Sequence, residues 1–193
     1  MPSVDGLVTV DCESRLEDRT RSILLAQPGL HDLREQYPRV EYHGNDGVRR
    51  WHTFDFMATY LTGRRIAIAV KPKKLSDRRR FFEELVDVEA ALPRRVADEV
   101  RLVTDDDIDR TEATNAARYL HFARDTDPEA DAWLTERLRR ADGQLSVSDL
   151  INESDMGGRM FRAVFRAIYV GHLRADRRSP ITVASVVFRE SVQ

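Results

Sequence analysis

Asp55 and Lys71 are the residues of this 193-residue chain whose types and placement could do chemistry together. They stand in HTFDFMATYLTGRRIAIAVK, His52 to Lys71, which reads as two short strands joined by a tight polar turn at Thr62-Gly63. That reading puts Asp55 near the middle of one strand and Lys71 at the end of its neighbour. An interior strand normally excludes both types, because an unpaired buried charge is expensive. Their presence beside the apolar run IAIAV therefore predicts a sheet edge or end that opens into a polar cleft. There a carboxylate can hold a divalent cation, and an ammonium can orient or activate water next to a phosphate.

The strands must present these groups. Alternation puts Trp51, Thr53, Asp55 and Met57 on one face, and His52, Phe54 and Phe56 on a face expected to pack on helices. On the second strand Arg65, Ala67, Ala69 and Lys71 share a face, and two alanines between two cations describe a shallow, open surface. His52 alternates away from Asp55 and is expected to be packed or hydrogen-bonded. The five histidines lack ligand spacing, so no zinc site is expected.

Around this pair the chain reads as alternating helices and strands. A helix from about Cys12 through ESRLEDRTRSILLAQ stops at Pro28-Gly29. Glu13 and Glu17 lie one above the other on it, and Glu17, directly after Leu16, sits nearer the buried edge. Leu30 to Glu35 is expected to be a connector, followed by the strand PRVEYH and a turn at Asn45-Asp46-Gly47. The next strand, VRRWHTFDFMATY, is expected to form a meander with its predecessor. After Pro72, SDRRRFFEELVDVEAAL reads as one helix with Ser76 as N-cap and Phe82, Leu85 and Val86 turned inward. VRLVT supplies a further strand, and TEATNAARYLHFAR a helix that closes a first α/β domain, with a boundary at Asp125–Glu129.

Beyond that boundary, three helices precede a two-stranded ribbon joined by the polar tip ADRRSP, the layout of a winged helix-turn-helix. In the third helix Phe161, Val164, Phe165 and Ile168 form the expected core side, while Arg159, Arg162, Arg166 and Tyr169 line the other. Such a stripe is a solvated face on an arbitrary helix. On a helix inserted in the DNA major groove it becomes a DNA-binding face, with Arg177 and Arg178 on the wing tip.

Composition sets the frame. With 41% hydrophobic and 33% charged residues the chain is globular, and a net charge of −2 advertises no nucleic acid by itself. The charges are segregated, however. Eight basic residues against the single acid Asp77 lie between Thr62 and Arg80, and seven acids against two arginines between Asp98 and Glu112. Cys12 is the sole cysteine, which excludes an internal disulfide and multi-cysteine zinc sites. With no membrane-length apolar run and no secretory signal pattern, a cytoplasmic protein without membrane partners is expected.

In order, ESRLE, a proline soon after that helix, EQYPRVEY, HTFDF, a strand ending AVKP, and LVTDDDI before the helix containing Asn115 resemble the TnsA endonuclease family. These are endonuclease subunits of Tn7-like heteromeric transposases. The likeness covers approximately residues 13–124. It implies a restriction-endonuclease-like α/β core, a mixed sheet flanked by helices, over residues 12–125, followed by a winged-helix DNA-binding domain over 130–193. It also implies a Mg²⁺-dependent centre (Mn²⁺ as substitute) in which Glu17 and Asp55 hold metal and Glu17, Asp55 and Lys71 are catalytic. The implied partners are double-stranded DNA and a DDE-type transposase subunit. Lys73, Lys74, Arg78 and Arg79, directly after the centre, join Arg159, Arg162, Arg166, Arg177 and Arg178 as expected DNA contacts. Two departures stand out. Ala69 occupies the place of an acid or glutamine two before the lysine, and Phe54 replaces a usual proline. Glu13 competes with Glu17, and Glu83 or Glu84 could fill the vacancy from the adjacent helix. The expected activity is nicking at transposon ends, and the alternative is a catalytically degenerate DNA-binding or assembly subunit.

Overall fold

The computed structural model describes residues 15–78, 81–141 and 143–190, with Arg78 described by its backbone alone. Glu13, Cys12, Arg79 and Arg80 lie outside the described residues. The chain divides into two compact units, one ending at Ile108 and the other beginning at Asp109.

The first unit is a mixed β-sheet flanked by α-helices. Its four-stranded sheet runs in the order β1 (Leu30–Glu35), β4 (Phe56–Tyr60), β5 (Arg65–Val70), β6 (Glu99–Val103). The β4–β5 hairpin turns at Leu61–Arg64, where Gly63 takes φ +84°. β5 pairs in parallel with β6, and such a pairing needs a long crossover. Here it carries two helices, α2 (Lys73–Arg78) and α3 (Phe81–Ala91). β5 is one of the two inner strands and is buried on both faces, as its unbroken apolar run requires. Ile66, Ile68 and Val70 pack with Leu16 and Leu24 of α1 (Arg15–Leu25), while Ala67 and Ala69 pack with Phe81, Leu85 and Val88 of α3.

Four expectations change here. Leu30–Glu35 is an edge strand and not a connector, its polar alternation suited to pairing on one side only. The strand expected through VRRWHTFDFMATY is broken at Phe54-Asp55 into β3 (Arg49–Thr53) and β4, which belong to different sheets. β3 forms a separate ribbon with β2 (Arg39–His43). The groups at the break are satisfied, since Phe54 N–H donates to Pro38 O (3.1 Å) and Gln36 N–H to Asp55 O (2.9 Å). The helix after Pro72 is two helices. Ser76 is a buried member of α2, and Phe82 and Val86 are exposed while Phe81, Leu85 and Val88 face inward. Finally, the alanine face is not open. Ala67 and Ala69 are fully buried, their small side chains letting α3 lie close on the sheet.

The second unit contains α4 (Arg110–Ala123), α5 (Pro128–Arg139), β7 (Gln144–Ser146), α6 (Val147–Ser154), α7 (Gly158–Tyr169), β8 (Leu173–Arg174) and β9 (Val186–Arg189). Its small sheet has the order β7-β9-β8. Asp109, Asp127 and Ser146 cap α4, α5 and α6 with side-chain oxygens. α4, expected to close the first domain, belongs with this unit, where Tyr119 and Phe122 pack on Phe165 of α7. No helix among the described residues is long and apolar enough to cross a membrane.

Candidate functional site

The break between β3 and β4 brings the Asp55 carboxylate to the end of β5. Its Oδ2 accepts the Val70 N–H at 2.6 Å. The next amide, Lys71 N–H, donates to Val103 O at 3.0 Å, so the strand end carrying Lys71 is fixed from both sides. Asp55 is thus brought to the strand end that bears Lys71, by a route the alternation argument did not contain. Asp55 sits at a bend and not in mid-strand. The Lys71 Nζ lies 5.8 Å from the ring centroid of Phe81, the first residue of α3.

His52 is buried at 8% exposure, edge-on to Phe54 (4.6 Å between centroids) and tilted against Phe81 (5.7 Å). Burial lowers its pKa, partly opposed by the negative charges of Glu84 and Asp55 and reinforced by Lys71. Burial thus favours the neutral imidazole, whose Nε2 makes no hydrogen bond to the described residues. Glu84, on α3, accepts the Tyr42 hydroxyl at 2.7 Å, and burial together with that bond pushes the Tyr42 pKa up to about 12. Sequence reasoning placed neither His52 nor Tyr42 beside Glu84. No local signal could have done so, since Tyr42 and Glu84 are 42 residues apart.

Glu17 is half-buried in the first turn of α1, next to Leu16, which packs in the same cluster as Val70. Ala69 lies on the opposite face under α3 and can offer an ion only its backbone carbonyl. Among the described residues no group of three or more His, Cys, Asp or Glu side chains is arranged to hold a metal ion. Mg²⁺ is commonly held by one or two carboxylates with water and phosphate oxygens completing the shell. Asp55 fits that role as one carboxylate, its Oδ1 free of hydrogen bonds among the described residues.

The basic residues separate into engaged and open groups. Lys73 donates its amide to Asp105 (2.7 Å) and places Nζ 3.8 Å from Asp106, and Lys74 is exposed. On α7 the expected arginine stripe is divided. Arg166 is buried at 8% exposure, its Nε donating to both oxygens of Asp131 on α5 (2.8 and 3.1 Å), so it locks α7 to α5 and faces no DNA. Arg159 is held by Asp127 and Glu129, and hydrogen bonds to them raise its pKa. Arg162 is exposed and carries no ion pair among the described residues. Arg177 and Arg178 are exposed on the β8–β9 loop, Arg178 with Nε 4.0 Å from Glu112. That loop is fastened to α4 by Asn115, 1% exposed. Its Nδ2 donates to Arg177 O (3.0 Å) and Ser179 O (2.9 Å), and its Oδ1 accepts from Ile181 N–H (3.5 Å).

Comparison with models of known protein families finds no match to this chain, and comparison with curated proteins likewise finds none.

Proposed function

We propose that this protein is a TnsA-like endonuclease subunit that nicks DNA at transposon ends beside a DDE-type transposase, with its phosphodiester site at the end of β5. The observation that carries the proposal is the Asp55–Val70 hydrogen bond, which fixes a carboxylate beside the strand end bearing Lys71. In this reading Lys71 contacts the scissile phosphate, Asp55 holds a divalent ion, and Glu17 contributes from α1. Mg²⁺, when bound, supplies charge stabilisation on the phosphate and a more acidic bound water. The mixed sheet flanked by helices is compatible with a restriction-endonuclease-like core. The second unit's order α5-β7-α6-α7-β8-β9, with β7 beside β9, supports a winged helix-turn-helix that adds one strand to the expected layout. Its DNA-facing cations are then Arg162, Arg177 and Arg178, with Lys73 and Lys74 on the first unit.

A second reading rests on Ala69. It is fully buried under α3, and Glu84 is already engaged by Tyr42, which favours a degenerate centre in a DNA-binding or assembly subunit. The deciding experiment is strand cleavage of end-containing DNA with Mg²⁺ or Mn²⁺, with and without the transposase partner. The nuclease reading expects nicks from the parent protein that Asp55→Ala abolishes. Cleavage that never exceeds that of Asp55→Ala leaves the second reading standing.

A further inference from the structure

The β2–β3 ribbon has one face packed and one open. Val40, Tyr42 and His52 are buried on the inner side, whereas Arg39, Arg49 and Trp51 are exposed. On the outer side Arg39 lays its guanidinium over the Trp51 indole, 4.7 Å from the ring centroid, and the indole remains 49% exposed. Just before the ribbon, Arg34 stands 5.7 Å over Tyr37, itself 40% exposed. Arginines stacked on open aromatic rings make a surface that offers π-faces and positive charge together. Arg39 has no carboxylate partner among the described residues, and the exposed pairs Arg34–Asp32 and Arg49–Glu41 exchange readily for other anions.

This surface adjoins the candidate site. Arg39 pairs across the ribbon with Thr53, two residues before Asp55. Trp51 is four residues from Asp55, at most about 13 Å along the chain at ~3.3 Å per residue. A strand held at Asp55 and Lys71 would bring neighbouring nucleotides within reach.

We propose that the outer face of the β2–β3 ribbon binds single-stranded DNA, with a base stacked on Trp51 and Arg39 contacting an adjacent phosphate. The proposal rests on the reading of the sheet end as a DNA site and adds the form of DNA bound there. An indole stacks on a base whose face is free, which a single strand offers and an intact duplex does not. Arginines over and beside exposed rings suit a polyanion carrying flat rings, with Glu41, across from Trp51, held by Arg49. A protein partner would favour a contiguous apolar centre depleted of charge.

The test uses the full chain with Trp133→Phe, which leaves Trp51 as its single indole. A short oligodeoxythymidylate, titrated without metal, should quench Trp51 fluorescence saturably, and a duplex of equal length should not. By anisotropy of a labelled oligonucleotide, Trp51→Ala should weaken binding about tenfold and Trp51→Phe should retain most of it. Arg39→Gln should lower the salt slope by about 0.7. Unchanged affinity in Trp51→Ala, or equal quenching by duplex, would overturn the proposal. The quenching titration reads no cleavage, so saturable quenching of the parent together with no nicking in the separate cleavage experiment would sink the nuclease reading alone.

Discussion

His52 carries its charge state into the stability of the first unit. Its pKa is lowered in the folded protein by burial, so between that lowered value and the ordinary 6.5 the unfolded chain holds more protons than the folded one. Stability therefore rises with pH across this window and is lost as pH falls through it. We expect the urea midpoint, read by Trp51 fluorescence in the Trp133→Phe protein, to be lower at about pH 5.5 than at about pH 7.5. In His52→Gln that difference should shrink, and an undiminished difference would assign the pH dependence to other groups. Carboxylates such as Asp127, held low by Arg159, act only at more acidic pH. That Asp55 stands near the strand end bearing Lys71 was legible in the sequence, because two charged types beside an apolar strand needed a sheet end. His52 is packed, as its parity predicted, whereas the alanines were read as an open surface although their small side chains make room for α3, and alternation through β3 and β4 failed because it assumes an unbroken strand. Once the chain breaks at Phe54-Asp55, Phe54 and Phe56 enter different clusters despite equal parity.

At the scale of elements, the division of labour on α7 is set by residues far away in sequence. Its apolar periodicity announced an amphipathic helix, and Val164 and Phe165 are indeed fully buried. The fate of its arginines depended on Asp127 and Asp131, over thirty residues upstream, and no spacing within the helix could reveal that. Removing Asp131 strands a buried guanidinium. Because Asp131 is itself 37% exposed, solvent moderates the loss, and Asp131→Ala should cost about 1–3 kcal/mol. Arg166→Met combined with Asp131→Leu should recover most of that stability, since apolar packing replaces a buried pair at little cost. Thermal unfolding of the three proteins measures this, and a double variant no better than Asp131→Ala would show that Arg166 does more than bind its partner. Asn115 shows the same limit of local reading. It drew notice as a motif residue, yet its amide is spent on the β8–β9 loop.

For the whole molecule, the division at Ile108/Asp109 changes what counts as a portable module. The boundary read from DTDPE followed turn composition, which marks the cap of α5 just as well. It could not register that Tyr119 and Phe122 pack on Phe165, 5.6 and 5.3 Å away. A fragment of residues 109–193 should fold with a cooperative transition, whereas 130–193, stripped of α4, should expose the aromatic face of α7 and the unanchored loop. Circular dichroism and amide dispersion of the two fragments test this, and equal folding of both would make α4 dispensable. One further feature bears on behaviour in a crowded solution. Among the described residues the four-stranded sheet ends at β1 and β6, and each outer strand carries an ion pair two residues apart, Asp32–Arg34 at 3.0 Å and Glu99–Arg101 at 2.6 Å. A foreign strand adding to either rim would have to desolvate or displace those charges, a protection against edge-to-edge aggregation written into the two strands that most need it.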